Sequence, residues 1–282
     1  MQNGSNIVVE PVTGAIGAEI VGVDISRPLD DATVAALRQA LLDHCVIFFR
    51  DQELDMAGLK AFAARFGEIF LHPNILGSKA DPAVIEIIRQ PGEKRIVGED
   101  WHSDTAHVAA PPMGSVLYGV DVPPYGGDTL FANQYLAYET LSPGLKRMLE
   151  GVRALHSDRD VAGPAAELNA NRSTKVRENP DWRETAHFHP VVRTHPETGR
   201  KALYVNRQTT MAFEHMTPEE SRPLLEYLCR HAHRPEFSCR FRWRRGSVAF
   251  WDNRCAQHTA VHDAGRFRRE MRRVQLVGDA PF

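Results

Sequence analysis

The chain has 282 residues, of which 43% are hydrophobic and 25% are charged, a composition typical of a globular protein that buries a sizeable core. Its 34 Lys and Arg residues nearly balance 36 Asp and Glu residues, which gives a net charge of −2. This balance, with no long run of one sign, argues against nucleic acid or an anionic membrane as a partner. The length is compatible with a single domain over residues 1–282, because β-barrels and sandwiches often reach this size undivided.

The four cysteines are scattered, with no Cys-x-x-Cys spacing, which predicts reduced thiols rather than a zinc knuckle or a disulfide framework. Residues 1–13 lack the basic region and the apolar run of a secretory signal peptide. No stretch reaches the roughly 18 apolar residues that a membrane-spanning helix needs. We therefore expect a cytoplasmic protein.

The first elements alternate between strand and helix. Residues 20–24 and 45–49 predict buried strands on either side of a helix that begins at Asp30 or Asp31. The apolar face of that helix is formed by four residues, Val34, Leu37, Leu41 and Leu42. A second helix over residues 56–66 is expected to end at Gly67 in a left-handed cap.

The remainder of the chain is dominated by short strands. They are predicted at residues 84–88, 115–120, 191–195, 202–205, 236–243, 247–251 and 273–277. Within residues 236–243 apolar and polar side chains alternate, which indicates one buried face. Residues 196–200 (Pro-Glu-Thr-Gly-Arg) predict a hairpin turn.

Helices interrupt the strands only occasionally. Thr217, Pro218 and Glu220 form a capping box with Pro at the first helical position, and Ser142-Pro143 begins a shorter helix in the same way. The predicted fold class is mostly β with α insertions, arranged as an antiparallel barrel or a double-sheet jelly roll. Residues 158–181 show no clear periodicity, and their length suggests a lid over a site.

A possible metal site begins at His102-Ser103-Asp104. In extended backbone, residues two apart point the same way, so both side chains can reach one ion. A distant His258, expected on a loop just after a predicted strand, would complete the two-His-one-carboxylate set that binds ferrous iron and leaves positions open for other ligands. Among 13 His and 36 acidic residues, chance can also supply such a spacing, and a hydrogen-bonded surface pair is the alternative.

Several further motifs occur in a fixed order along the chain. They are Trp101-His102-Ser103-Asp104, Gly126-Gly127-Asp128-Thr129, Trp251-Asp252-Asn253-Arg254 followed by Gln257-His258, and the closing pair Arg269 and Arg273. Together they resemble the taurine dioxygenase/2,4-dichlorophenoxyacetate dioxygenase family of Fe(II)- and 2-oxoglutarate-dependent oxygenases. The resemblance covers nearly the whole chain, from residues 17–20 through residues 189–196 to the last strand.

The resemblance implies a double-stranded β-helix with His102, Asp104 and His258 as the iron ligands and O2 as the oxidant. It also implies that 2-oxoglutarate chelates the iron and that its far carboxylate pairs with Arg269 and the hydroxyl of Thr129, contacts that suit a carboxylate. Otherwise, Thr129 would be a turn or strand residue and Arg269 a solvated member of an arginine cluster. Related halogenases resemble this pattern without the carboxylate, so Asp104 favours hydroxylation.

The same resemblance assigns a substrate site. In the taurine enzymes a His and an Arg at the places of His72 and Arg273 hold the sulfonate, although His72 could also be an ordinary polar residue after a helix. Ile75 and Gly98 stand where those enzymes carry Tyr and Asn. Losing two polar contacts weakens recognition of an ammonium-bearing tail and favours a more apolar substrate.

The sequence therefore predicts hydroxylation of a small organic acid, first a sulfonate such as taurine, with release of sulfite. Within the family, an aryloxyalkanoate or an alkyl sulfate is the alternative substrate. Outside it, a metal-dependent hydrolase on a cupin-like barrel or a non-catalytic binding barrel remains open. We expect a small anionic substrate as partner, no nucleic acid, no membrane, and a dimer or tetramer of the chain.

Overall fold

The computed structural model describes residues 7–282. Within that range the strands are β1 (Val8–Pro11), β2 (Ala18–Val21), β3 (Val46–Phe49), β4 (Ile69–Phe70), β5 (Ile85–Arg89), β6 (Gly114–Asp121), β7 (Thr129–Asn133), β8 (Arg153–Ser157), β9 (Ala186–Pro190), β10 (Val192–Thr194), β11 (Lys201–Leu203), β12 (Thr210–Phe213), β13 (Ser238–Phe241), β14 (Val248–Asp252), β15 (Ala256–Ala260) and β16 (Arg269–Leu276). The α-helices are α1 (Asp31–His44), α2 (Met56–Ala64), α3 (Gln134–Glu139), α4 (Pro143–Leu149), α5 (Arg159–Ala162), α6 (Ala165–Ala170) and α7 (Pro218–Ala232).

Two sheets form the centre of the molecule. The main sheet has the strand order β1-β2-β3-β14-β6-β16-β4, with β5 also paired to β16, and the minor sheet has the order β13-β7-β15. Side chains of the main sheet alternate between its two faces, as the strand geometry requires. On β3, Phe48 packs toward the minor sheet while Ile47 and Phe49 pack toward the helices. Burial on both faces explains why these strands are continuous apolar runs.

Aromatic side chains join the two sheets. Phe48 of the main sheet stacks on Phe241 of the minor sheet with ring centroids 4.0 Å apart, and it meets Phe131 edge to face at 5.6 Å. Trp251 contacts Phe131 at 5.6 Å. These packed sheets confirm the predicted mostly-β, double-sheet fold, and the residues that point between them surround the candidate site.

Helices α1 and α2 cover the outer face of the main sheet. Asp30 caps α1 by accepting a hydrogen bond from the backbone N–H of Thr33, as expected for a helix start. The left-handed cap predicted at Gly67 was wrong: α2 ends at Ala64, and Arg65 caps it in the right-handed region. The left-handed cap belongs to α1, where Cys45 has φ 64°, because the chain must turn there directly into β3.

Most of the other sequence predictions agree with the observed elements. The hairpin between β10 and β11 and the capping box of Thr217 and Glu220 are confirmed. In the predicted strand over 236–243, only Ser238–Phe241 is strand, and Pro235–Phe237 forms a 3-10 turn. Its alternation is nevertheless confirmed, because the apolar members of 236–243 are all buried. The four cysteines are free and buried.

The predicted lid region carries the short helices α5 and α6. Its apolar side chains Ala162, Leu168 and Val176 form a small cluster of their own. Val176 forms a backbone bridge with Ile75, and the N–H of Arg177 donates to the carbonyl of Asn74 over 2.7 Å. The segment is therefore attached to the chain that follows α2. None of the helices within residues 7–282 is both long and apolar enough to span a membrane.

Candidate active site

His102 and His258 lie side by side across a backbone bridge. The N–H of each donates to the carbonyl of the other, over 3.0 and 2.9 Å. His258 was expected on a loop after a strand, but it lies inside β15, which pairs with β7. That strand sequence, Ala-Gln-His-Thr-Ala, has little β propensity, so the pairing partners rather than the local sequence determine its conformation.

The three predicted ligands converge on one point. Oδ1 of Asp104 lies 3.5 Å from Nε2 of His102 and 4.0 Å from Nε2 of His258, and all three residues are buried. Nδ1 of His102 lies 2.7 Å from the carbonyl oxygen of Asp100. That carbonyl can only accept, so the Nδ1 proton is directed to it and Nε2 keeps its lone pair for a metal.

The electrostatics of Asp104 favour its charged form. Burial raises its pKa, but the guanidinium of Arg273 outweighs burial and holds the pKa well below its usual range. Ser115 donates a further hydrogen bond to Oδ2 over 2.7 Å. The carboxylate is therefore ionised and oriented, as a metal ligand must be.

His258 is held in its neutral form. Burial lowers the pKa of this imidazole to about 3, and the neighbouring His102 adds to the shift. A neutral imidazole is the form that coordinates a metal. Two imidazoles and one carboxylate whose ligand atoms lie within 4.8 Å of one another are the donor set of the facial triad of ferrous oxygenases, so the residues present fit that ion.

Thr129 and Arg269 both lie beside a third residue, Trp243. Nε1 of Trp243 donates to the hydroxyl of Thr129 over 2.9 Å, and the guanidinium of Arg269 lies 5.8 Å from the Trp243 ring centroid. Since the Thr129 oxygen accepts from the indole, its own proton is free to donate to an anion. Burial lowers the pKa of Arg269 to about 10, still far above neutrality, so the side chain stays cationic.

A cavity of about 230 Å³ opens beside the triad, and we call it the substrate cavity. Its wall includes His102, Asp104 and both predicted substrate residues, His72 and Arg273. A second and much smaller cavity of about 20 Å³ contains Arg269 in its wall. The two cavities share wall residues, among them Ile96 and Val97. The structure thus brings His72 and Arg273, the predicted substrate residues, together with the triad. It places Arg269 in an adjoining recess.

The proton of His72 is placed by its neighbours. Its Nδ1 accepts hydrogen bonds from the backbone N–H groups of Asn74 and Ile75, each over 3.0 Å. Burial lowers the pKa of the ring to about 3, and the charge of Arg273 contributes. A neutral ring that accepts at Nδ1 carries its proton at Nε2. His72 is therefore a neutral donor beside the Arg273 cation, a combination that suits an anion.

The two departures from the taurine pattern also lie in the substrate cavity. Ile75 and Gly98 are both in its wall. Gly98 has φ +78°, and a Cβ there would lie 3.1 Å from Cε1 of His102. The backbone of Gly98 thus passes close to a candidate ligand, and the wall at this point is formed without a side chain.

Sequence reasoning missed several residues of the site. Trp243 had been predicted only as a buried strand residue, and nothing in the sequence indicated that its indole N–H would contact Thr129. Arg89 lines the small recess with Arg269, although they are far apart in sequence. Asn74 and His107 line the substrate cavity, and their side-chain nitrogens are 3.5 Å apart. Only the closeness of Asn74 to His72 in sequence hinted at a role.

Comparisons with known proteins agree with this geometry. An alpha-ketoglutarate-dependent sulfate ester dioxygenase of Pseudomonas putida is 37% identical over 275 residues, 97% of this chain and 90% of that protein. An alkylsulfatase of Acinetobacter baylyi is 36% identical over 272 residues, 95% of this chain and 84% of that protein. The crystal structure of a taurine dioxygenase from Burkholderia xenovorans matches with a TM-score of 0.82 and 41% identity, covering 98% of this chain and 90% of that one.

Fold, triad and relatives define an oxygenase that uses Fe(II), 2-oxoglutarate (alpha-ketoglutarate) and O2. Residues 9–275 match the family described as "Taurine catabolism dioxygenase TauD, TfdA family", and the chain belongs to it. The fold is accordingly the jelly roll of these dioxygenases. The predicted recognition, fold, enzyme class and cofactors are confirmed, and the hydrolase and non-catalytic alternatives are set aside.

Proposed function

We propose that the enzyme hydroxylates the carbon that carries the sulfate group of an alkyl sulfate ester or the sulfonate group of an alkylsulfonate. The observation that carries this proposal is the pairing of the neutral donor His72 with the cation Arg273 in the substrate cavity, beside the triad. A guanidinium and an N–H donor together match the oxygens of a monoanionic head group. Relatives named for sulfate esters and for taurine are consistent with a sulfo group.

In this proposal the three candidate ligands His102, Asp104 and His258 hold iron. Thr129 and Arg269 bind the far carboxylate of 2-oxoglutarate, which fixes the end of the cosubstrate away from the metal. Iron and cosubstrate, once bound, supply the oxidising chemistry. The protein's own contribution is to orient both acids beside a buried triad.

The cavity wall is mixed, and its apolar part favours an apolar substrate tail. Ile75, Ile96, Val97, Val161, Leu168 and Val176 all contribute to it. An apolar tail gains about 25 cal/mol for each Å² removed from water against such a surface. Taurine, with its short ammonium-bearing chain, gains little from it. Longer alkyl sulfates and alkylsulfonates therefore fit the wall better than taurine does.

The two head groups give different products. Hydroxylation of R-CH2-OSO3⁻ yields an unstable adduct that collapses to the aldehyde and hydrogen sulfate, whereas R-CH2-SO3⁻ yields the aldehyde and hydrogen sulfite. In each case one O2 and one 2-oxoglutarate are consumed, giving succinate and CO2. Measuring sulfate and sulfite together with succinate therefore identifies both the head group and the coupling.

The test is a substrate panel of alkyl sulfates, alkylsulfonates of matched chain length, taurine and aryloxyalkanoates, each with Fe(II), 2-oxoglutarate and O2. We expect stoichiometric succinate with sulfate or sulfite, and rates that rise with tail length over the first few carbons. Turnover of the aryloxyalkanoates alone would show that the head group is a carboxylate. No stimulation by any organosulfur anion would contradict the proposal.

We further propose that residues 1–282 act as one catalytic domain, that the enzyme is cytoplasmic, and that it forms a dimer or tetramer. The large buried clusters include strands from both ends of the described chain, which supports one domain.

The proposed self-association has a candidate surface at β1. Strand β1 lies at the edge of the main sheet with all four residues exposed, and Val8 is 46% exposed. The exposed Val8 and Val9 at this edge support self-association, which light scattering after size-exclusion chromatography would test.

A further inference from the structure

Two arginines face each other at the far end of β5 and β16. In the register of this antiparallel pair, Arg269 is directly opposite Arg89. Residues directly opposite on neighbouring strands have their side chains on the same face, and like charges in that position destabilise a sheet. Arg89 is 5% exposed, so water screens this repulsion poorly. Some other interaction must offset the cost.

The protein itself supplies no full counter-charge to this pair. Neither Arg89 nor Arg269 forms an ion pair with any residue in 7–282, and the Nε of each is buried without a hydrogen-bond partner there. The acidic side chains that act on Arg89 are Glu93 and Asp263, and Asp128 acts on Arg269. Both aspartates are already engaged by Arg240, and Glu93 accepts a hydrogen bond from the hydroxyl of Ser173. Arg89 donates one hydrogen bond, to the backbone carbonyl of Ala264.

The recess between the two arginines has the character of a receptor for one anionic group. Its wall contains four arginines, Arg89, Arg95, Arg172 and Arg269, and a single acidic residue, Glu93. Its volume of about 20 Å³ is of the order that holds a single small polar group. The rest of the wall is apolar, and the recess shares Arg95, Ile96, Val97 and Arg172 with the wall of the substrate cavity.

We propose that Arg89 is a second guanidinium for the far carboxylate of 2-oxoglutarate, so that Arg89 and Arg269 clamp this group between β5 and β16. The inference rests on the proposed role of Arg269. A carboxylate between the guanidiniums converts like-charge repulsion into two attractive, charge-assisted contacts. Arg89 then determines specificity, because it makes the site depend on a cosubstrate that carries a carboxylate at its far end.

The test compares two iron chelators by calorimetry on the Fe(II)-loaded protein without O2. 2-Oxoglutarate reaches the recess, whereas oxalate binds iron and is too short to do so. The variant is Arg89→Gln, whose side-chain amide can still donate to the Ala264 carbonyl while the charge is lost. Arg268→Gln is the matched control, since Arg268 precedes the same strand and forms exposed ion pairs with Asp121 and Glu270.

We expect Arg89→Gln to raise the dissociation constant of 2-oxoglutarate about tenfold or more, the usual effect of losing one charged hydrogen bond, with oxalate unchanged. Arg268→Gln should leave both constants unchanged. Equal weakening of both chelators, or no weakening of 2-oxoglutarate, overturns the clamp. If Arg89→Gln does not fold, Arg89→Lys replaces it, because lysine keeps the charge but cannot donate two parallel hydrogen bonds. An unchanged ratio of the dissociation constants of 2-oxoglutarate and oxalate in Arg89→Lys then overturns the proposal.

A parallel measurement on Arg269→Gln separates this inference from the proposed function. If Arg269→Gln weakens the binding of 2-oxoglutarate but not of oxalate, while Arg89→Gln leaves the binding of both chelators unchanged, only the role of Arg89 is wrong. If Arg269→Gln leaves the affinity for 2-oxoglutarate unchanged, the carboxylate site proposed above is itself misplaced.

Discussion

Arg273 donates a hydrogen bond from Nη1 to Oδ1 of Asp104 over 3.0 Å, and both side chains are buried. Oδ1 is the same oxygen that faces the two histidines of the triad. The arginine proposed to hold the substrate anion therefore also neutralises a candidate iron ligand. In the proposed roles, substrate recognition and metal binding share one guanidinium, a link that sequence spacing does not reveal.

The first prediction concerns this coupling. Arg273→Ala should raise the KM for substrate about tenfold or more, the usual effect of losing a charged hydrogen bond, with a much smaller change in the KM for 2-oxoglutarate. Arg269→Ala should do the reverse. Because Arg273→Ala also removes the cation that competes with a metal for Oδ1 of Asp104, it should retain more iron, measured by metal analysis after dialysis. Arg272→Ala, on the opposite face of β16, is the control, and iron retention equal to that control would contradict the coupling.

The second prediction tests the triad. His102→Ala and Asp104→Ala should each lower 2-oxoglutarate turnover by more than about 100-fold, since even the residues that support a ligand are worth about 10–100-fold. His262, which is exposed, supplies the control His262→Ala, expected to keep wild-type activity. Full activity in Asp104→Ala would contradict the triad assignment.

The third prediction concerns Trp243. Trp243→Phe keeps the ring beside Arg269 but removes the N–H that orients the Thr129 hydroxyl. We expect a KM for 2-oxoglutarate raised several-fold, in keeping with about 1 kcal/mol for one neutral hydrogen bond, and an unchanged KM for substrate. Thr129→Val should have a similar effect, and the two together should be less than additive because they remove one shared interaction. Strict additivity would show that the two side chains act independently.

The sequence predicted those parts of the site that depend on local pattern. The spacing of His102 and Asp104 follows from extended backbone, and the alternation in β13 follows from one buried face. What it could not predict depends on register. His258 was expected on a loop because it follows the predicted strand over 247–251, and it meets the other candidate ligands through the pairing of β15 with β7 and its own bridge to His102. Arg89 meets Arg269 only because β5 and β16 pair.

The fourth prediction concerns Asp252, which is buried with His195 and Arg254. Burial raises its pKa, but Arg254 and His195 outweigh burial and hold it below its usual range. A carboxyl group whose pKa is lower in the folded state stabilises the fold at pH values above the pKa of an aspartate in the unfolded chain. This contribution is lost as the pH falls below about 4. Asp252→Asn should therefore lower the free energy of unfolding in urea at pH 7 by about 3–5 kcal/mol, and the difference from wild type should shrink on acidification.

Asp43→Asn is the control for that experiment, because Asp43 is exposed on α1, and it should change the free energy of unfolding by less than about 0.5 kcal/mol. A difference between Asp252→Asn and wild type that stayed constant from pH 7 to pH 3 would show that the charge of Asp252 does not contribute to stability.

The last prediction concerns residues 158–181. Val161, Leu168 and Val176 line the substrate cavity, yet the cluster they belong to is small, and segments with few buried contacts open locally more easily than the core. A substrate tail against these side chains adds contacts only in the closed arrangement. Amide hydrogen exchange over residues 165–176 should therefore slow when an alkyl sulfate is added to the Fe(II) and 2-oxoglutarate complex without O2. Exchange in α7, outside the cavity, should not change, and equal exchange in 165–176 with and without substrate would show that the segment is a fixed wall rather than a lid.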